Sequence, residues 1–373
     1  MKHSRPFRAL VFVIVVHALL SGCATSRDQD DGPVFYPPPP QRPRIQFLAS
    51  ISGAKDVEEA TSPLMKFLVG DMKSRRNFRK PTAVASHEGA IYVADPGWDS
   101  VIVADLRNQV FDTLRDRGTG KLQVPVAIAI DADGNKFVAD TGRNQVVQFN
   151  ERNEFVRAFG NPEVLRPTGV AVDERFVYVV NRKEHRVEVF DRFSKERVRS
   201  FGMFGAEDGQ FNIPTSITRD EKGHLFVTDA TNFRIQEFDS EGTFVKSFGF
   251  LGDGPGTFAR PRGLAVSRGE HLYTVDGAFE NVQIWDAENA QVLLAFGGAG
   301  VGPGQMYLPA SVYIDYGLRE HFADLVDPDF ELEYLILVVN NYGPNKLAVY
   351  GFIHPKDPSR YPEYALPDRG SEG

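Results

Sequence analysis

Between residues 80 and 352 the chain repeats one order of apolar and polar positions six times. A short apolar run follows a proline. A turn of Asp, Gly or Glu comes next, then a β-rich run such as "FVYVV" or "LFVTD". After a polar turn an alternating run ends in an aromatic residue, as in "RVEVF" and "RIQEF". The lead prolines are Pro81, Pro125, Pro167, Pro214, Pro261 and Pro309, spaced 44, 42, 47, 47 and 48 residues apart. A fourth run closes several units: "EFVRAFG", "RVRSFG", "TFVKSFG" and "VLLAFGG". Period-two alternation and enrichment in β-branched and aromatic residues predict strands rather than helices. Four strands in about 45 residues is the size of one propeller blade. The pattern therefore predicts an all-β, six-bladed β-propeller.

The stretch "GDGPGTFARPRGLAV" (Gly252–Val266) has two readings. Alternating glycines before an apolar run suit a loop that cradles phosphate. The same residues suit a tight connection between blades, where glycine adopts positive φ without strain. Its siblings "FGMFGAEDGQFNIP" and "FGGAGVGPGQMYLP" occupy the same place in other units, and no helix follows to supply a dipole. The connection reading is preferred.

The units resemble NHL repeats, most closely at His185-Arg186-Val187-Glu188-Val189-Phe190 and Phe233-Arg234-Ile235-Gln236-Glu237-Phe238. The resemblance covers about residues 44–352 and implies an NHL-type propeller. The sixth unit, starting "LPASVYID", is the poorest match, is interrupted by an acidic insertion at about 317–333, and lacks a fourth strand. "RIQFLASI" (Arg44 to Ile51) is expected to supply that strand from the N-terminus and close the ring, because an open ring leaves two unpaired strand edges.

The N-terminus reads as processing and tethering. Lys2, Arg5 and Arg8 precede the apolar run "ALVFVIVVHALL", which is too short to span a bilayer comfortably. It ends in "LSGC", which resembles a bacterial lipobox. That resemblance implies lipid on Cys23, the only cysteine of the chain. The competing reading is an ordinary signal peptide with an incidental cysteine. The expected organisation is a signal peptide at 1–22, a lipidated, Pro-rich tether at 23–43, the propeller at 44–354 and a tail at 355–373. Anchoring in the cell envelope follows, at the outer membrane of a two-membrane bacterium. The four prolines 37–40 favour extended polyproline II over helix.

Composition narrows the function. The net charge is −8, so bulk nucleic-acid binding is disfavoured. In propellers, the loops joining second to third strands share one face with the blade-to-blade connections. Here that face collects Arg and Lys with interleaved aromatics, while the opposite hairpins read "DADG", "RDEKG", "NERNE" and "DAEN". Trp98, Arg143, Arg182, Phe233, Arg260, Arg262 and Phe279 are the candidate binding residues. An envelope protein, or an anionic glycan or lipid, is the expected partner of a monomeric binding module.

Some six-bladed propellers that the repeats resemble are lyases, amidating lyases or lactonases with a channel metal. A metal-dependent lyase or hydrolase is therefore the alternative. The histidines His87, His224 and His271 sit beside first-to-second-strand turns, and no pair has metal-ligand spacing. Asp95, Asp140, Asn181, Asp229, Asp276 and Asn340 end the second strands. They invite a calcium ring but suit turn capping better. No cofactor and no catalytic residue is assigned; bound calcium or zinc stays the alternative.

Overall fold

The computed structural model describes residues 32–58, 76–114 and 117–361. Cys23, the apolar N-terminal run and the end of the tail lie outside these residues. Five four-stranded antiparallel sheets span 83–113, 125–159, 167–201, 214–248 and 261–297, and are blades I to V. In each the strands follow chain order, first strand at the channel and fourth at the rim.

Blade VI has five strands. Its first three are Pro309–Asp315, Phe330–Asn340 and Leu347–Pro355. Its fourth is β2 (Ile45–Ile51), in register with the third from Ile45↔Phe352 to Ile51↔Leu347. The N-terminal strand thus closes the ring. A fifth strand, β1 (Phe35–Tyr36), pairs outside β2. The Pro-rich stretch therefore does not run out as an extended spacer. Residues 37–44 turn back between β1 and β2, and Tyr36 donates its hydroxyl hydrogen to Gly304 O (2.8 Å). Side-chain packing of Phe35 on Phe330, with ring centres 5.2 Å apart, overrides the local preference of four prolines.

Neighbouring blades meet through apolar layers. Val147 and Phe149 of blade II pack with Tyr92 and Val101 of blade I, and Val187 of blade III with Val227 of blade IV. Second strands are covered on both faces, which is why they read as unbroken apolar runs; Phe176–Asn181 is buried in all but its first residue. Fourth strands carry one exposed face and alternate, as Gln291–Gly297 does. The insertion begins as a short helix, Arg319–Phe322, whose Phe322 enters the layer between blades VI and I. Its last residues, from Phe330, belong to a lengthened second strand.

The glycine-rich stretches are blade connections. Leu251 and Phe258 form a parallel bridge, as do Phe204 with Phe211 and Ala299 with Met306. Gly249 and Gly256 hold φ of 71° and 79°. A Cβ on Gly249 would stand 2.4 Å from the Phe258 ring, so only glycine permits that buried aromatic to fold beneath the connection.

One buried cation tests the layer between blades I and II. Lys136 is 1% exposed and donates from Nζ to Glu151 O (2.9 Å) and Asn150 O (3.2 Å). Burial pushes it down to about 8 from 10.5, against the pull of Glu151 and Asp131. Below pH 8 both folded and unfolded chains are protonated, and the fold carries the full desolvation penalty. Between pH 8 and 10.5 the unfolded chain holds a proton that the folded chain has released, so stability rises. The unfolding free energy of the protein is expected to rise relative to Lys136→Met between pH 7.5 and 9.5 in urea titrations. A difference that does not change with pH would contradict the assignment.

Candidate binding site

The channel mouth is built from two residues after each lead proline. The second after it is always small: Ala83, Ala127, Gly169, Ser216, Gly263 and Ser311. Inner strands of adjacent blades press together there. A Cβ on Gly169 would lie 3.0 Å from Ser216 Cα, and one on Gly263 would lie 2.5 Å from Ser311 Cα. The first residue after each proline lines the opening: Thr82, Val126, Thr168, Thr215, Arg262 and Ala310. They surround a cavity of about 940 Å³ on the face that carries the blade connections. That volume lies within the range of small-ligand sites.

The mouth is positioned by the ring of residues at the ends of the second strands. Asp95, Asp140, Asn181, Asp229, Asp276 and Asn340 are all fully buried. All but Asn181 bond within their own turns, and all six latch the incoming blade connection. Asp140 accepts from Gly142 N and Arg143 N in its turn, and from Gln123 N and Val124 N in the connection. Asp276 does the same with Ala278, Phe279, Ala259 and Arg260. The turn capping was legible in the sequence; the latch to the connection was not, since its donors lie some 16 residues upstream.

Arg166, Arg182, Lys183, Arg260 and Arg262 converge on the mouth, and among the described residues no Asp or Glu lines it. Among the described residues, no carboxylate forms an ion pair within 4.0 Å of any of these five cations. Arg262 reaches deepest. It donates from Nη1 to Asn341 Oδ1 (2.9 Å) and Pro309 O (3.3 Å). Burial, reinforced by the charge of Arg260, pushes it down to about 10, so it remains charged at neutral pH. A desolvated guanidinium beside a second cation is stabilised by any anion that enters. The Thr215 hydroxyl, also at the mouth, is buried without a hydrogen-bond partner.

Of the residues expected from sequence, Arg182, Arg260 and Arg262 meet here. Arg143 lies outside the cavity lining, and its Nη1 donates to Thr119 O (2.7 Å) and Lys121 O (2.9 Å), clamping the connection between blades I and II. Trp98 is also held internally, with Nε1 bonded to Asn77 O (2.8 Å) and Arg79 stacked 3.6 Å over its ring. Phe233 packs against the layer between blades IV and V, and Phe279 is half-buried in the turn capped by Asp276. Arg186 and Arg234 are engaged by Glu188 and Asp229. Arg166 and Lys183 were recognisable as part of the basic face, but not as mouth residues. Their signal was position, one residue before a lead proline and two after a second-strand cap.

His185 lines the mouth, and its Nδ1 accepts from Ile213 N (3.1 Å). This bond helps hold Ile213 at φ 55°, a conformation β-branched residues rarely adopt. His224 lies against Glu237 (2.8 Å), and burial lowers the pKa of His271. Among the described residues, no three His, Cys, Asp or Glu side chains cluster so as to hold a metal ion.

The sequence profile of the NHL repeat matches residues 211–238, which run from the connection before blade IV through its third strand. The fold is an NHL-type six-bladed propeller. The chain shares 31% identity over 183 residues with peptidyl-glycine alpha-amidating monooxygenase A of Xenopus laevis, covering 42% of this chain and 17% of that protein. It shares 26% over 131 residues with protein brain tumor of Drosophila melanogaster, covering 33% and 12%. The matches thus span less than a fifth of either relative's length. Among solved structures, a Bacteroides thetaiotaomicron protein of unknown function aligns with TM-score 0.58 and 15% identity, over 83% of this chain and 76% of that one. Virginiamycin B lyase from Staphylococcus aureus aligns with TM-score 0.51 and 13% identity, over 72% and 80%. At these identities the structural likenesses establish the fold alone.

Proposed function

We propose that this NHL propeller is a binding module that recognises an anionic group of its partner at the channel mouth. It is held at the cell envelope by lipid on Cys23 and works as a monomer. The observation that carries the reading is the convergence of Arg166, Arg182, Lys183, Arg260 and Arg262 on a cavity that no carboxylate among the described residues lines, in a chain whose net charge is −8. An acidic protein that concentrates unneutralised cations at one opening creates a local field opposite to its overall charge. Such a field draws anions and disfavours cations.

Binding of dextran sulfate and of neutral dextran by the chain from Ala24 to Gly373 tests this. The sulfated polymer is expected to bind, to weaken as salt rises, and to lose about tenfold or more in affinity in the double variant Arg182→Glu, Arg260→Glu. Equal binding of both polymers, or an unchanged affinity in the variant, would overturn the assignment. Metabolic labelling with a radioactive fatty acid tests the anchor: label is expected on the full chain and absent from Cys23→Ala.

A further inference from the structure

The connections on either side of blade IV expose large apolar side chains on the same face as the mouth. Met203 and Phe204 are 62% and 67% exposed; Phe250 and Leu251 are 67% and 62% exposed. They occupy equivalent places in consecutive connections, just after Gly202 and Gly249. The mouth cations also flank blade IV. Arg166, Arg182 and Lys183 belong to blade III and its approach, and Arg260 and Arg262 to the entry of blade V. Between them blade IV contributes Ile213, Ala230, the unpartnered Thr215 hydroxyl and Ser216. The Phe204 tip is continuous with the mouth: its ring packs 5.0 Å from the His185 ring, and His185 lines the cavity.

We infer that the sector over blade IV binds an amphiphilic anion, a single-chain molecule with a phosphate or carboxylate head and an apolar tail. This rests on the anionic-ligand reading of the mouth and adds the tail. The head lies between Arg182 and Arg262, and the tail passes Ile213 and His185 to Phe204. An extended peptide suits this track less well, because the nearby backbone already pairs with itself. Phe211 N bonds to Met203 O (2.8 Å), Gly205 N to Phe211 O (3.1 Å), Phe258 N to Phe250 O (2.8 Å) and Gly252 N to Phe258 O (3.3 Å). A hydrocarbon tail asks for no such partners. Of the acidic residues in these connections, Asp208 faces Arg234 at 3.6 Å; Glu207 and Asp253 are the others.

Calorimetric titration of the chain from Ala24 to Gly373 separates head from tail. The ring closes through strands between Phe35 and Pro355, so this chain carries the whole fold. The probes are inorganic phosphate, then hexyl, octyl and decyl phosphate below their micellar concentrations, and octyl glucoside as a neutral tail. Affinity is expected to rise about fourfold for each buried methylene added, and octyl glucoside is expected to bind far more weakly than octyl phosphate. In Phe204→Ser the rise with tail length is expected to flatten, with phosphate binding and the melting temperature unchanged. Phe204 is exposed, so folding is not at stake. Affinity independent of tail length, or a dependence that survives the variant, would overturn the inference and leave the anionic mouth standing. Binding of an acidic peptide alone, or of phosphatidylglycerol vesicles but not monomers, would also overturn it. Failure of phosphate, every alkyl phosphate and dextran sulfate together would overturn the mouth reading as well.

Discussion

Replacing Asp276 with alanine is expected to lower the unfolding free energy by roughly 4 kcal/mol and to weaken anion binding with it. The carboxylate is fully buried and accepts four backbone hydrogen bonds, from Ala259 (2.8 Å), Arg260 (2.9 Å), Ala278 (2.8 Å) and Phe279 (3.0 Å). Alanine leaves all four donors without their acceptor, and each buried donor that finds no water costs about 1–3 kcal/mol. The functional effect follows from the same bonds. Arg260 N is one of the four donors, and Arg262 lies two residues on, so loosening the latch moves both cations. Asp276→Asn is expected to cost about half as much, because one acceptor oxygen survives. Blade III already uses that arrangement: Asn181 accepts from Arg166 N (3.1 Å) and turns its amide to Glu188 (2.8 Å). Urea titrations of the three proteins decide the matter. An alanine variant within 1 kcal/mol of the parent would show that the connection is held by other contacts.

Removing residues 1–51 is expected to abolish the cooperative fold. The truncation takes away β2 and exposes the edge of the third strand from Leu347 to Phe352, while blade VI loses the buried Ile45 and Ile51. Fully burying one such side chain is worth about 1.5–3 kcal/mol, and a long unpaired edge invites pairing with other chains. The truncated chain is expected in the aggregated fraction, or to melt more than about 10 °C below the parent. Tyr36→Phe, which removes only the bond to Gly304 O, is expected to cost about 1 kcal/mol. A soluble truncation with an unshifted melting temperature would mean that the ring does not depend on its N-terminal strand.

Six blades, their four-strand pattern and the closing strand at Arg44 to Ile51 could all be read along the chain. Each depends on period-two patterning and on a repeat whose copies reinforce one another. The second strands were easiest, because a blade on either side makes them apolar throughout. The pairing of Phe35 and Tyr36 could not be read. Two residues carry no periodicity, and the prolines after them favour extended chain until Phe330 and Gly304 are in place. The candidate site divides in the same way. Sequence sorted residues onto faces, because loop order in a repeat fixes which end of the blade each occupies. It could not rank residues within the basic face. Arg143 and Trp98 looked as available as Arg182 and Arg262, but only the latter two line the cavity.

What the sequence by itself determined is therefore the ring, its closure and the sign of charge on its face, all properties that repeat or alternate locally. The tertiary structure alone decided which cations lack an anionic partner, which acids latch the connections, and that the apolar tips flank the same blade as the cations. These depend on residues from different blades meeting at one opening, and the distance between such residues is set by closure of the ring rather than by their separation along the chain.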